Sequence, residues 1–117
     1  DFFIQEGIIS GMLGNEDILA EILGAQNVLG GLTAMAGART GPGQIHDFDR
    51  VPSYIGEWGG GMSARAEAIA ATFTAAGLET HASADIRAEI WKKLLGNMTM
   101  SAVSGVTNLT SAEILQV

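Results

Sequence analysis

A change of pattern near residue 83 constrains this chain more than any other feature. Before it, short apolar runs broken by glycine alternate with helical stretches; after it, every signal is helical. Alternating strands and helices belong to a layered α/β unit, whereas an unbroken run of 3.6-period segments belongs to a helical one. We therefore read residues 1–83 as α/β and residues 84–117 as all-α, with a domain boundary between them. The sixteen glycines cluster between the apolar runs, where turns and close backbone approaches call for them.

Within the first part, Phe2 to Ile9 has β character. Asn15 to Gly24 predicts a helix, with Asn15 as N-cap, Glu16 and Asp17 in the first turn and Gly24 just past the end. Asn27 to Ala36 reads as a strand leading into the turn Gly37–Gly43. Gln44 to Phe48 and Ser53 to Trp58 read as two strands, paired with each other in antiparallel fashion because their connection is short. Ser63 caps a helix with an apolar stripe of Ala66, Ile69, Phe73 and Ala76, ending at Gly77, and Leu78 to His81 suits one more strand.

In the second part, Ser83 and Asp85 open a long helix, and Thr110 or Ser111 caps another. On the long helix, at about 100° per residue from Ile86, the residues Ile90, Trp91, Leu94, Leu95 and Met98 sweep an apolar arc. Asp85, Glu89 and Lys92 fall opposite. Lys93 lies at the seam, where it can lay its stem on the arc and offer its nitrogen to a cleft. Asn97 stands four residues on, on the same face. An ammonium and a carboxamide so placed can act together on one small polar molecule. The plain alternative pairs Lys93 with Glu89 one turn back, and spacing alone favours that alternative. Trp91 is expected to anchor the two domains, and Arg65 with Glu67 reads as ordinary surface charge.

Composition excludes several other functions. A net charge of −7 leaves no basic patch for nucleic acid. Without cysteine there is no disulfide, thiol nucleophile or Cys-type zinc site, and the isolated His46 and His81 lack ligand spacing, so no metal is expected. No apolar run reaches the roughly 18 residues of a membrane span and no signal peptide is visible, so the expected location is cytoplasmic.

The segment Ile86-Arg87-Ala88-Glu89-Ile90-Trp91-Lys92-Lys93-Leu94-Leu95-Gly96-Asn97 resembles the opening of the C-terminal helical domain of ketopantoate reductases (2-dehydropantoate 2-reductases). Upstream, Gly14-Asn15-Glu16-Asp17-Ile18-Leu19, Val28-Leu29-Gly30-Gly31, Gly41-Pro42-Gly43-Gln44-Ile45-His46 and Ile55-Gly56-Glu57 resemble the end of that family's dinucleotide-binding domain. The resemblance implies the end of a Rossmann-type domain followed by the start of a helical one. It also implies reduction of 2-dehydropantoate to pantoate with NADPH, on the route to pantothenate and coenzyme A. Lys93 would give the proton to the carbonyl oxygen, and Asn97 would bind the substrate hydroxyl or carboxylate. Gly37 would lie where the backbone approaches the cofactor. The implied partner is a small keto acid, and homo-oligomerisation is left open.

The sequence also departs from the family pattern. Ser101 replaces a second asparagine and leaves substrate preference open. The nicotinamide-facing asparagine has no counterpart in either register, Glu6-Gly7 or Gly11-Met12. No G-x-G-x-x-G occurs, so the first βαβ unit is expected before Asp1 and further helices after Val117, with this central slice inactive by itself. The rival readings are a related reductase for another small 2-keto or 3-hydroxy acid, and a non-catalytic helical interaction module in which Lys93 is simply solvated.

Overall fold

The structure, a computed structural model, describes residues 14–49 and 51–116. The expected strand at Phe2–Ile9 and the residues Glu6, Gly7, Gly11 and Met12 lie outside the described residues. The order is α1 (Asn15–Leu23), a 3₁₀ turn (Ala25–Asn27), β1 (Leu29–Leu32), β2 (Ala36–Gly41), β3 (Gln44–Asp49) and β4 (Ser53–Glu57). There follow α2 (Ala64–Ala75), β5 (Thr80–Ala82), α3 (Ile86–Thr107) and α4 (Ser111–Ile114). Mixed α/β structure thus gives way to helix alone after β5.

Helix α1 occupies the expected residues, but its cap differs. Asn15 is the first helical residue, and Gly14 takes the cap position at φ 124° with no side-chain bond. That backbone region is costly for an L side chain, so glycine wins the cap although asparagine is the better capping side chain. The other end is as expected: Gly24 at φ 86° stops the helix and its N–H reaches the Ala20 carbonyl.

The strands pair differently from expectation. The stretch Asn27–Ala36 is not one strand, because the chain leaves the ladder at Thr33–Met35 and restarts as β2. β3 pairs with β2 rather than β4, forming a separate two-stranded sheet. The cause is the turn Pro42-Gly43, in which proline fixes φ and Gly43 takes φ +69°. That two-residue connection captures β3 locally. β4 is then left to pair antiparallel with β1 and parallel with β5, in the sheet order β1-β4-β5. The parallel step from β4 to β5 runs through α2, which begins as expected at Ser63, whose hydroxyl accepts from the Ala66 N–H.

The long helix starts as its sequence indicates. The Asp85 side chain accepts from the Ala88 N–H, and the Ser83 hydroxyl accepts from the Asp85 N–H. Its first two turns close the core. Ile86 and Ile90, each 1% exposed, pack with Val28, Leu32 and Trp58, flanked by Ala20 and Tyr54. The rest of the expected apolar arc is not buried: Trp91, Leu95 and Met98 are exposed. Trp91 lies on the exposed side among the described residues, and the tryptophan packed into the core is Trp58, 2% exposed. At the far end Asn108 turns left-handed at φ 57°, and Thr110 with Glu113 forms a reciprocal cap on α4.

The helix can sit this close because two glycines face it. Gly30 and Gly56 are direct partners across β1 and β4. A Cβ on Gly56 would stand 2.5 Å from the Ser83 carbonyl oxygen and 3.0 Å from Ile86 Cβ, and one on Gly30 would stand 3.1 Å from the Trp58 ring. Backbone cannot move aside as a flexible side chain can. Gly56→Ala is accordingly expected to lower stability by about 1–3 kcal/mol in chemical denaturation of the full-length protein. Gly59→Ala, where nothing lies within 4 Å of the new carbon, is expected to stay within about 0.5 kcal/mol of wild type.

Candidate functional site

The docking of α3 decides where its polar residues stand. Ile86 and Ile90 face the sheet, which turns Lys93 toward the end of β1. There the chain has just left the ladder, and the Thr33 carbonyl is available. Lys93 Nζ donates to that carbonyl oxygen at 2.6 Å. The side chain is half-buried, and burial holds its pKa below the usual lysine value by disfavouring the charged form. The plain alternative of a Lys93–Glu89 pair is not what the structure shows. Glu89 is taken by Lys92, Nζ to Oε1 2.9 Å, and Lys92 is raised in pKa chiefly by that hydrogen bond.

Asn97 and Ser101 follow Lys93 at four-residue intervals on the same helix strip, and both are exposed. The structure thus brings Lys93, Asn97 and Ser101 into one line. Gly37 is not on that line. It lies in the β2–β3 hairpin, four residues after Thr33, against Ile45 and the His46 backbone. Thr33 carries no sequence signal, because its part is played by a backbone carbonyl exposed where a strand breaks.

Two charged clusters also escape sequence reasoning. Asp17 Oδ1 accepts from Trp58 Nε1 at 3.0 Å and from the Arg87 guanidinium at 2.9 Å, while the Arg87 Cζ sits 3.9 Å from the centre of the Trp58 ring. These partners are 41 and 70 residues apart in sequence. One local hint exists: an arginine in the first turn of a helix opposes the helix dipole, so something else must hold it.

The second cluster explains the glycine-rich loop Gly59-Gly60-Gly61, which leads from β4 into α2. Such a strand–loop–helix passage can hold an anion, but here the chain supplies its own. Glu57 accepts from the Ser63 hydroxyl at 2.5 Å and takes both arms of Arg65, which also reaches the Gln26 carbonyl. Arg65 therefore pairs with Glu57, not with Glu67. The hydrogen bonds from Arg65 and Ser63 hold the Glu57 carboxyl below its ordinary range.

These features can be set beside known proteins. The structure superposes on the complex of D-mandelate dehydrogenase with NADH at a TM-score of 0.76 and 26% identity, over 92% of this chain and 36% of that one. It superposes on the 2-dehydropantoate 2-reductase of Geobacter metallireducens GS-15 at a TM-score of 0.72 and 29% identity, over 82% of this chain and 32% of that one. The fold is that of part of a Rossmann-like dehydrogenase. Residues 2–60 match the family described as ketopantoate reductase PanE/ApbA, and the chain belongs to that family. The 2-dehydropantoate 2-reductase of Halobacterium salinarum is 32% identical over 104 residues, which cover 89% of this chain and 34% of that protein. The chain spans about a third of the length of the curated relatives it matches. No helix among the described residues is long and apolar enough to cross a membrane.

The depressed Glu57 pKa gives a stability prediction with a definite sign. A carboxylate whose folded pKa is lowered adds stability that is present above its unfolded pKa and is lost as pH falls through the folded one. Glu57→Gln is expected to lower the melting temperature at neutral pH. The gap to wild type should close as the pH drops below the ordinary glutamate range, as followed by thermal melts from neutral to acid.

Proposed function

We propose that the protein reduces the ketone of a small 2-keto acid, 2-dehydropantoate in the first instance, with NADPH as hydride source. The observation that carries this reading is Lys93: half-buried, aimed by the Thr33 carbonyl, and followed on one helix strip by Asn97 and Ser101. The 2-dehydropantoate 2-reductase names of its relatives support the substrate. On this reading residues 1–83 close the dinucleotide-binding domain and residues 84–117 open the helical one, in a cytoplasmic enzyme. The change from mixed structure to helix after β5 supports that division.

The residues present suit the substrate side of such a site. A cationic donor with a lowered pKa stands beside two exposed hydrogen-bonding side chains, a set that fits a carbonyl flanked by carboxylate and hydroxyl. When bound, the reduced nicotinamide supplies a hydride to the carbonyl carbon. Lys93 then gives an ammonium proton to the carbonyl oxygen, its N–H breaking as the new O–H forms, and is left as a neutral amine. Partial burial eases that transfer by favouring the neutral product form of the lysine. Before transfer, the positive charge stabilises the developing alkoxide. Asn97 and Ser101 orient the substrate by hydrogen bonds, and Gly37 offers backbone without a side chain on the cofactor side.

A second reading keeps the chemistry and changes the acid. It is favoured by the TM-score of 0.76 to D-mandelate dehydrogenase bound to NADH, and by Ser101, whose reach is shorter than an asparagine's. A panel of 2-keto acids offered with NADPH and with NADH, followed by loss of nicotinamide absorbance, separates the two.

In the full-length protein, Lys93→Met is expected to cut kcat by about 100-fold or more while the protein remains folded, as judged by circular dichroism. Wild-type turnover in that variant defeats the assignment. The donor must be protonated at the start of the step, so kcat/KM should fall as pH rises through the Lys93 pKa. Because burial lowers that pKa, the alkaline limb of the pH profile should lie below the ordinary lysine value.

A further inference from the structure

Lys93 belongs to a helix that is held firmly at one end. Ile86 and Ile90 are buried, whereas Trp91, Leu95 and Met98 are exposed. Among the described residues its direction is therefore set chiefly by what grips its first turn. Apolar packing of two isoleucines is weakly directional, so a directional contact has to fix the tilt. The Asp17–Trp58–Arg87 cluster is such a contact. It joins the first turn of α1, the residue after β4 and the first turn of α3, and it combines a charged hydrogen bond of 2.9 Å, an indole hydrogen bond of 3.0 Å and a stacked guanidinium at 3.9 Å. The Arg87 Nε also points to the Trp58 carbonyl, at 3.4 Å.

We propose that Arg87 is a positioning residue: by bridging Asp17 and the face of Trp58 it fixes the tilt of α3 on the sheet, and so sets where the Lys93 nitrogen stands. This inference rests on the reading of Lys93 as proton donor. Arg87 does not act on the reacting atoms. It lies about 120° around the helix from Lys93 and about 9 Å back along the axis. A small change of tilt at the grip is enough to move the ammonium off the Thr33 carbonyl. Misplacement of a reacting group by about 1 Å costs on the order of 100-fold in rate.

The test compares Arg87→Leu, Arg87→Lys and Asp17→Asn with Lys93→Met in the full-length protein, with kcat expressed per folded molecule. Arg87→Leu should lower kcat by about 10- to 100-fold with the KM for the nicotinamide cofactor unchanged. Asp17→Asn, which removes the charge but keeps the size, should show the same split, and the double variant should lose little more than Arg87→Leu alone. Arg87→Lys, which returns a cation to the Trp58 face, should recover part of the loss; a role in packing alone predicts no such recovery. If Arg87→Leu and Asp17→Asn turn over like wild type while Lys93→Met does not, the positioning role is overturned and the Lys93 assignment stands. If Lys93→Met turns over normally, both fall. Should Arg87→Leu fail to fold, Asp17→Asn decides the question.

Discussion

The close approach of α3 to the sheet, permitted by the absence of side chains at Gly30 and Gly56, is the constraint on which the rest of this structure depends. These two residues face each other across β1 and β4, and a Cβ on either would crowd Ile86, at 3.0 Å from Gly56 and 3.2 Å from Gly30. Burying Ile86 and Ile90 there contributes about 1.5–3 kcal/mol for each side chain. Without this two-glycine seat the helix would ride further out, the core of Val28, Leu32 and Trp58 would open, and Lys93 would lose its reach to the end of β1.

Several charged residues around this seat are paired within the protein. Lys92 engages Glu89 on the exposed side of α3, which leaves the seam lysine to face Thr33. Glu57 neutralises Arg65 at the start of α2, beside the glycine-rich loop that carries the chain from β4 to α2. Asp17 is shared by Trp58 and Arg87. Two of these sets tie a helix start to its surroundings, Glu57 with Arg65 at α2 and Asp17 with Arg87 at α3, while Lys92 and Glu89 pair along α3 itself.

How much of this was legible in the sequence follows from the range of each interaction. Helices α1, α2 and α3 could be read because their signals are local: Ser63 and Asp85 as caps, Gly24 as a stop, and the periodic isoleucines of α3. The choice of Lys93 over Lys92 was legible for the same reason, since helix phase alone separates a seam residue from a solvated one. Strand pairing was not legible. The separation of β3 from β4 in sequence is short, yet the tighter Pro42-Gly43 turn takes β3 first, and partner choice depends on competition between turns rather than on either strand. Nor could the sequence show the Thr33 carbonyl, which has no side-chain signature, or the Asp17–Arg87 pair, which closes over 70 residues. The amphipathic arc on α3 overstated burial because periodicity marks which residues share a face, not how far along the helix the covering structure extends.

That last mismatch also explains the layout of the candidate site. Among the described residues, packing against the sheet covers α3 only through its first two turns, so exposure rises along the strip that carries Lys93, Asn97 and Ser101. Lys93 falls at the last packed turn, where its stem is half-buried and its nitrogen is held by a backbone acceptor. Asn97 and Ser101 fall beyond it, exposed. Proton transfer tolerates little error in distance, whereas hydrogen bonds that orient a flexible substrate accept a wider range of geometry. On the proposed reading, a helix anchored at the sheet would serve both demands in order: Lys93 as a fixed donor nearest the sheet, and Asn97 and Ser101 as adaptable binding side chains further out. Moving the lysine one turn toward the tip would keep every residue type in the strip and lose the one position where the sheet can aim it.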